Sequence, residues 1–238
     1  MPNDGFLKNS NRRLNAFNQL VNQDHVLSPD QQKELKGAKL QAGVDLGTSS
    51  IVLTVMGPDQ QILYGDFEYD HAVQDGMVVN YLDSVRILRR LKQKAEDNLG
   101  VPLTTAAGAI PPKTGSKGAK VVANVIEEAG FHCSQVVDEP TAAAKFLGIK
   151  TGTVVDLGGG TTGITIFKNE QIQTVIDEPT GGFHMTLVLG GHYKLENDAA
   201  EKLKRDQSRE EEVYPLIEPV VEKWRRSSND SALKWKTR

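Results

Sequence analysis

The sequence predicts an α/β fold made of two copies of a β-β-β-α-β-α-β-α unit, the second of them incomplete. Two observations lead to this prediction. Val44-Asp45-Leu46-Gly47 recurs as Val155-Asp156-Leu157-Gly158, and the two aspartates are 156 − 45 = 111 residues apart. A turn rich in Gly, Ser and Thr and a second apolar strand follow each copy. Internal repetition of this kind indicates a duplicated fold.

The elements of the first copy, over residues 42–150, follow from short apolar runs separated by turn residues. Strands are predicted at 43–46, 51–55, 62–67, 104–110 and 132–137, and helices at 83–99, 121–129 and 141–147. A glycine follows each of these helices, as is usual at a helix C-terminus.

The second copy begins with the same three strands, at 153–157, 164–167 and 172–176. Helices are then predicted near Glu201 and over 213–224, with Pro219 expected to break or start the latter. A complete second copy would end near residue 150 + 111 = 261, whereas the sequence has 238 residues. We therefore expect a second lobe with an open sheet edge and exposed apolar surface.

Residues 1–40 are predicted to form a polar extension with short helices. The apolar face of the first helix would consist of Leu14, Phe17, Leu20 and Val21. Ser28, Pro29 and Gln31 form the start signal of a second helix. Two interpretations are open for the first helix: it docks on a partner protein, or it packs on its own domain.

The composition excludes several classes of protein. Lys and Arg total 28 and Asp and Glu total 31, so there is no excess of basic residues to bind nucleic acid. No apolar run approaches about 18 residues, so no membrane span is expected, and the polar N-terminus is unlike a secretory signal. Cys133 is the single cysteine, which leaves no disulfide partner and no cysteine-rich metal site. We expect a cytoplasmic globular protein.

The repeated hairpin suggests a phosphate site. A tight turn of Gly, Ser and Thr exposes backbone N–H groups and hydroxyls that bind anions. An Asp just before the turn suits a bound Mg²⁺, which takes one or two carboxylates together with waters and phosphate oxygens. Two such hairpins facing each other would hold the phosphates of one nucleotide from both sides. The alternative for either hairpin alone is an ordinary turn.

Other phosphate-binding motifs do not fit the sequence. Gly115-Ser116-Lys117-Gly118 only partly matches G-x-x-x-x-G-K-[ST], and no strand is followed by G-x-G-x-x-G. The five histidines show no spacing typical of a metal site.

Three stretches, in order along the chain, resemble the first phosphate, first connecting and second phosphate motifs of the actin-like ATPase superfamily. They are Asp45-Leu46-Gly47-Thr48-Ser49-Ser50, Asp138-Glu139-Pro140-Thr141-Ala142-Ala143-Ala144 and Asp156-Leu157-Gly158-Gly159-Gly160-Thr161-Thr162. That superfamily has a ribonuclease H-like fold and includes actin, DnaK-type chaperones, MreB, FtsA and the sugar kinases. Residues 75–81 and 177–186 further resemble the DnaK-like EutJ family of ethanolamine utilisation, and the resemblance covers roughly residues 10–224.

The resemblance implies ATP or ADP and Mg²⁺ as cofactors. Asp45 and Asp156 would hold the hydrated Mg²⁺, and Asp156 would also help to orient the attacking water. The residues implied to contact the nucleotide are Asp45, Gly47, Thr48, Ser49, Ser50, Gly158, Gly159, Gly160, Thr161, Thr162, Gly181, Gly182, Glu201 and Lys204.

Two further roles are implied by the resemblance, each with a plainer alternative. Glu139 resembles the carboxylate that positions the attacking water, with Asp138 the lesser candidate. The alternative is a helix-start carboxylate favoured by the helix dipole. Glu201 and Lys204 resemble residues of a helix that touches the ribose, and the alternative is a solvated charged face.

Four parts of the chain are expected. They are an N-terminal extension (1–40), a first actin-like lobe (41–150), an incomplete second lobe (151–224) and a basic tail (225–238). The tail has five basic residues and one acidic residue, and it resembles a truncated or frameshifted end; docking to an acidic partner is the alternative. The family's adenosine motif, a Gly-Gly turn in a later strand–helix junction, is not found, so weak nucleotide affinity is expected.

The resemblance implies a nucleotide-dependent, chaperone-type protein of ethanolamine utilisation, with weak ATPase activity left open. It would act in the bacterial cytoplasm, associated with a microcompartment, with the pathway's enzymes or the shell proteins as partners. One alternative is a binding or scaffold protein that does not hydrolyse ATP. The others are a small-molecule kinase, for which residues 67–83 leave little room for an acceptor pocket, and an MreB-like filament protein.

Overall fold

The computed structural model describes residues 4–21, 26–47, 50–69, 73–74, 77–78, 81–112 and 114–236. The chain divides into a first unit, Met1–Ile149, and a second unit, Lys150–Arg238. Each unit has its own main β-sheet with helices packed against it, and the predicted α/β class is confirmed. Within the described ranges, no helix is both long enough and apolar enough to cross a membrane.

The first unit contains five helices and seven strands among its described residues. The helices are α1 (Asp4–Val21), α2 (Pro29–Glu34), α3 (Tyr81–Leu99), α4 (Gly115–Glu128) and α5 (Glu139–Phe146). The strands are β1 (Gln41–Leu46), β2 (Ser50–Met56), β3 (Ile62–Tyr69), β4 (Val73–Gln74), β5 (Met77–Val78), β6 (Thr105–Ile110) and β7 (His132–Asp138). The short β4–β5 pair was not predicted, because two-residue strands leave no periodic pattern.

The main sheet of the first unit has the strand order β3-β2-β1-β6-β7. The β1, β2 and β3 strands are antiparallel neighbours, whereas β6 and β7 run parallel to β1. The apolar stripe predicted on α3 is buried in the core of this unit, and so is the stripe on α4. Their core residues include Leu88, Leu91, Ala95, Leu99, Val122, Val125 and Ile126.

The N-terminal helix α1 is 18 residues long and packs on the first unit itself. The Phe17 ring lies on Gly65 of β3, where a Cβ atom would clash with the ring. The buried Ser10 donates a hydrogen bond of 2.9 Å from Oγ to Phe146 O at the end of α5. Of the two interpretations of this helix, packing on its own unit is the one that the structure shows.

The second unit contains a three-stranded antiparallel sheet followed by three α-helices. The strands are β8 (Gly152–Leu157), β9 (Thr162–Lys168) and β10 (Gln171–Glu178), in the order β10-β9-β8. The helices are α6 (Gly182–Tyr193), α7 (Asn197–Arg205) and α8 (Glu210–Lys236). A small core of Leu189, Ala200, Leu203 and Val213 joins the three helices.

The helices of the second unit differ from the prediction in two ways. The α6 helix was predicted only as a turn at Gly181–Gly182, because its apolar residues occur all round the helix and give no amphipathic pattern. The expectation that Pro219 would break or start a helix is wrong, since α8 runs through both Pro215 and Pro219. Both prolines are exposed, so water can satisfy the carbonyls that lose their helical N–H partners. The α8 helix also continues across the predicted boundary at residue 224.

Strand β8 corresponds to β1 by the repeat, but its surroundings differ. The β1 strand pairs with both β2 and β6, whereas β8 pairs with β9 alone among the described residues. Two apolar residues of β8, Val155 and Leu157, are 45% and 55% exposed. Among the described residues, β8 is therefore an edge strand of its sheet.

Candidate functional site

The first repeated hairpin joins β1 to β2. Asp45 pairs with Val52 in the ladder, and beyond this pair Gly47 N donates a hydrogen bond of 3.0 Å to Ser50 O. A Cβ atom on Gly47 would lie 2.9 Å from Ser50 O, so only glycine permits this close approach without a shift. The predicted phosphate contacts at 48–49 lie outside the described residues.

The second repeated hairpin joins β8 to β9 and has the same register. Asp156 pairs with Gly163, and Gly158 N donates a hydrogen bond of 3.0 Å to Thr161 O. Each of these four positions lies 111 residues after its counterpart in the first hairpin, as 156 − 45 and 158 − 47 show. The repeat found in the sequence is therefore also a repeat of backbone hydrogen bonds.

In the first unit, the predicted metal ligand Asp45 and the predicted catalytic residue Glu139 lie at the same end of the sheet, where the parallel strands β1, β6 and β7 have their carboxyl ends. Asp45 is level with Ala109 on the parallel strand β6, and Ala109 is level with Val137 on β7. Glu139 follows two residues later, at the carboxyl end of β7. The two residues are therefore two strands apart, with Glu139 offset by two residues along the strand direction. Ligands commonly bind at the carboxyl ends of parallel strands.

The start of α5 separates the roles of its two acidic residues. Asp138 is the N-cap, and its Oδ1 accepts a hydrogen bond of 2.9 Å from Thr141 N. Glu139 is the first residue of the helix and Pro140 follows it, which suits proline because the first turn needs no N–H partner. Asp138 thus has a local capping role, and Glu139 is the first residue of α5.

In the second unit, helix α6 sets the orientation of the phosphate loop. Gly182 N donates to Gly158 O at 2.9 Å, and Phe183 N donates to Gly159 O at 2.8 Å. In a planar trans peptide the N–H points opposite to the C=O. With both carbonyls directed towards α6, the N–H groups of Gly159 and Gly160 point away from it. This is the arrangement that an anion-binding turn requires.

The turn before α6 fits closely against the phosphate loop. A Cβ atom on Gly181 would lie 2.5 Å from Gly158 O and closer still to Gly159 O, so no larger residue fits there. Gly181 N donates a hydrogen bond of 3.0 Å to His184 Nδ1, which caps the helix. Gly181, which was predicted to contact the nucleotide, therefore packs against the phosphate loop. His184, which the sequence did not single out, holds the turn through its hydrogen bond to Gly181 N.

Thr180 is a second residue that sequence reasoning missed. Its carbonyl accepts hydrogen bonds from Thr162 Oγ1 at 2.6 Å and from Trp224 Nε1 at 3.0 Å. Its own Oγ1 accepts a hydrogen bond of 2.5 Å from Lys223 Nζ. Thr180 thereby links the second phosphate motif to α8. The one sequence signal for it was its position directly before the Gly-Gly turn.

The carboxylate of Asp156 is suited to a divalent cation. Burial raises its pKa above the ordinary value, and a nearby cation would favour the ionised form. Gly163 of β9 pairs with Asp156 of β8 on one side and with Asp177 of β10 on the other. Sequence reasoning gave Asp177 no role. Because directly paired residues of antiparallel strands share a face, both aspartates project to the same side of the sheet.

Carboxylates at these positions fit Mg²⁺, which typically binds one or two carboxylates of a protein and keeps several of its water ligands. Asp45 in the first unit has a buried carboxylate oxygen, Oδ1, directly before its own turn. No cluster of three or more metal-ligating side chains occurs within the described ranges.

The last two predicted contacts, Glu201 and Lys204 on α7, lie against the first turn of α6. Lys204 Nζ donates to Gly182 O and to Thr186 Oγ1, both at 3.1 Å, and to Glu201 Oε2 at 2.5 Å. Glu201 also accepts hydrogen bonds from Thr186 Oγ1 at 2.5 Å and from Arg205 Nε at 2.7 Å. Burial alone would raise the pKa of Glu201, but these hydrogen bonds outweigh it and lower the pKa to about 2.

Comparison with known proteins places this chain in a family. The family model for Hsp70 protein matches residues 81–230, well over half of the chain. The chain belongs to the Hsp70 family. The DnaK-type resemblance of the sequence is thereby confirmed.

Within the Hsp70 family the chain is similar to ethanolamine utilization proteins EutJ. It is 39% identical to EutJ of Salmonella typhimurium LT2 over 181 residues, which cover 76% of this chain and 63% of that protein. It is also 39% identical to the EutJ of Carboxydothermus hydrogenoformans seen in a crystal structure, with a TM-score of 0.85 over 96% of this chain and 81% of that one. This Hsp70-family chain is EutJ-like, and it spans 63% of the length of the curated EutJ proteins that it matches.

A more distant solved structure shares the fold alone. The ADP-bound MreB5 of Spiroplasma citri is 17% identical, with a TM-score of 0.56 over 70% of this chain and 61% of that one. MreB is one of the actin-like proteins named by the resemblance, and the predicted actin-like ATPase fold is confirmed.

Proposed function

We propose that this Hsp70-family chain binds a Mg²⁺–nucleotide, ATP or ADP, and that its repeated hairpin turns are phosphate-binding turns. The observation that carries the proposal is the fixed orientation of the second loop. The carbonyls of Gly158 and Gly159 are held by α6, and the next N–H groups, those of Gly159 and Gly160, point the other way. Such N–H groups bind the oxygens of a phosphate.

Asp156, placed just before the turn of its hairpin, would hold Mg²⁺, and Asp45 has the same position in the hairpin of the first unit. When bound, the ion neutralises charge on the phosphate oxygens. The pKa of Asp156, raised by burial, supports this assignment, because a nearby cation would stabilise the ionised form that burial disfavours.

Glu139 is the residue that we propose to orient a water molecule for hydrolysis of ATP. It lies with Asp45 at the carboxyl ends of the parallel strands of the first unit's sheet. Phosphoryl transfer to water needs mainly positioning and charge stabilisation. A single carboxylate can position the water, whereas a cation and N–H groups stabilise the charge. The second candidate is a protein that binds nucleotide as a scaffold and does not hydrolyse it.

Calorimetry of the full chain with ADP, in Mg²⁺ and in EDTA, tests binding. We expect heat of binding in Mg²⁺ and a much weaker signal in EDTA. Asp156→Asn should remove the Mg²⁺-dependent part, and the matched control Asp198→Asn, on the exposed first turn of α7, should leave it unchanged. No binding of ADP or ATP by the folded wild-type chain would refute the proposed function.

Release of phosphate from ATP separates an ATPase from a scaffold. Glu139→Gln should leave ADP binding intact and slow turnover by about 10²-fold, the usual scale for a lost general base. The exposed Glu34→Gln, at the end of α2, is the matched control. Binding without any turnover in the wild-type chain would favour the scaffold.

The biological setting that we propose is ethanolamine utilisation, which the names of the EutJ relatives state for those proteins. A chaperone-type role towards enzymes or shell proteins of a microcompartment, inside the bacterial cell, is part of this proposal. It is tested by co-purification of the chain with those proteins in the presence and absence of Mg²⁺–ADP. Recovery that does not depend on nucleotide would count against a nucleotide-driven chaperone.

A further inference from the structure

The C-terminal end of α5 is completed by two different parts of the first unit. The last four carbonyls of a helix have no N–H partner within the helix itself. In α5, the carbonyls of residues 143–145 accept hydrogen bonds from the backbone N–H groups of residues 147–149, which directly follow the helix. The fourth carbonyl, that of Phe146, accepts the hydrogen bond of 2.9 Å from Ser10 Oγ of α1. A buried residue of α1 therefore completes the end of a helix that lies 136 positions further along the chain.

The α1 helix is itself held in place by contacts with the sheet. The Phe17 ring lies on Gly65 of β3, where the absence of a side chain makes room for it. Arg13 Nη2 donates a hydrogen bond of 2.6 Å to Gln60 Oε1, in the turn between β2 and β3. The guanidinium carbon of Arg13 also lies 6.0 Å from the centroid of the Phe146 ring. The α1 helix thus connects β3 and the β2–β3 turn to the end of α5.

The position of α5 depends strongly on its two ends, because little else holds this helix. It has eight residues, of which Pro140 and Ala144 are buried. A helix of two turns is not stable alone in water, and small side chains bury little apolar surface against the sheet. Asp138 caps the N-terminal end of α5, and Ser10 completes the C-terminal end. The loss of either contact should let the helix shift.

We propose that Ser10 is a positioning residue, through which α1 fixes the C-terminal end of α5 and thereby the place of Glu139. This rests on the role proposed above for Glu139, which is to orient a water molecule for hydrolysis of ATP. Glu139 is the first residue of α5 and Phe146 is the last, so the two are about 10 Å apart along the helix axis. Ser10 therefore acts on the reaction through α5 and does not touch the reacting groups.

The test separates turnover of ATP from binding of ADP, both measured on the full chain with Mg²⁺. Ser10→Ala should slow phosphate release by about ten-fold, since a shift of a catalytic group by about 1 Å can cost up to about 10²-fold. Its affinity for ADP should stay that of the wild type, because the phosphate-binding turns are untouched. Gly65→Ala displaces Phe17, so it should give the same split from the other end of α1. Asn11→Ala, on the exposed face of α1, is the control and should change neither quantity.

A double variant shows whether Ser10 acts through Glu139. If it does, Ser10→Ala should slow the Glu139→Gln variant no further, because the effects of coupled residues are not additive. A further slowing by the full factor would overturn the proposal, and so would unchanged turnover in both Ser10→Ala and Gly65→Ala. A wild-type chain that binds ADP but does not hydrolyse ATP would also overturn it and would leave the proposed binding intact. Absence of any nucleotide binding would instead refute the proposed function itself.

Amide hydrogen exchange tests the mechanical part of the proposal without any ligand. Ile149 N–H reports on the C-terminal end of α5 through its hydrogen bond to Ala144 O, and Thr141 N–H reports on the N-terminal end through its bond to Asp138 Oδ1. Ser10→Ala should accelerate both amides while those of α3, the reference for global stability, keep the wild-type rate. Acceleration of the Ile149 amide alone would mean that α5 frays locally, and it would overturn the positioning role.

Discussion

Gly181 lies so close to the carbonyl of Gly158 that a Cβ atom on it would be 2.5 Å from that oxygen. Gly181→Ala should therefore displace the loop, destabilise the fold by about 1–3 kcal/mol and weaken ADP binding by at least ten-fold. The same helix offers a control in Gly191, where a Cβ atom would meet nothing within 4 Å. Gly191→Ala should raise the melting temperature slightly, since alanine favours helix by up to about 1 kcal/mol over glycine. Equal behaviour of the two variants would show that the close approach has no consequence.

Trp224 should stabilise the second unit through its indole N–H. Its hydrogen bond to Thr180 O is removed in Trp224→Phe, which also fills the buried site less completely. We expect a loss of about 1 kcal/mol or more in the free energy of unfolding by urea. The control is Tyr214→Phe, which alters an exposed aromatic residue of α8. A loss no larger than the control's would mean that the Trp224–Thr180 hydrogen bond does not stabilise the second unit.

Asp177 should contribute to Mg²⁺ binding together with Asp156. The two carboxylates project from the same face of the sheet on either side of Gly163, which has no side chain to separate them. Asp177→Asn should raise the Mg²⁺ concentration needed for half-maximal ADP binding by several-fold, less than Asp156→Asn does. Titration of Mg²⁺ at fixed ADP measures this, and an unchanged midpoint would assign Asp177 to the fold alone.

The hydrogen bonds that Lys204, Thr186 and Arg205 donate to Glu201 should persist from neutral pH into the acid range. These hydrogen bonds lower the pKa of Glu201 from 4.5 to about 2, so the ionised form stabilises the folded state. That contribution is complete above pH 4.5 and is lost as the pH falls towards 2. The difference in melting temperature between wild type and Glu201→Gln should be constant above about pH 5 and shrink below about pH 4. A difference in melting temperature that grows on acidification would contradict the claim that ionised Glu201 stabilises the folded state.

The open edge of β8 should make the second unit the faster to exchange its amides. Amides of β1 lie between two neighbouring strands, whereas β8 has one neighbour in the described part of the chain. We expect peptides from 153–224 to exchange faster than those from 42–150, with 152–157 well ahead of 41–46. Equally slow exchange in both units of a monomer would mean that the edge of β8 is covered by another segment of the chain.

Much of the fold and the two repeated turns were predictable because their signals are local. The repeated Asp-Gly turn, the alternating strands and the stripe of α3 each lie within a few consecutive residues, and each was found where it was predicted. The α6 helix was missed because an apolar residue on every face gives no period. The prediction that Pro219 breaks or starts a helix was wrong, because proline disrupts a helix less where water can satisfy the carbonyl that loses its N–H partner.

The sequence by itself determined the family, the duplication and the glycine, serine and aspartate residues of the two turns, because turn chemistry depends on neighbouring residues. Only the tertiary structure decided what Lys204, Thr180 and His184 do. The Lys204–Gly182 and Trp224–Thr180 hydrogen bonds join residues 22 and 44 positions apart. Such contacts exist only once three helices have packed on one another around a shared apolar core, and no short pattern in the sequence specifies that packing.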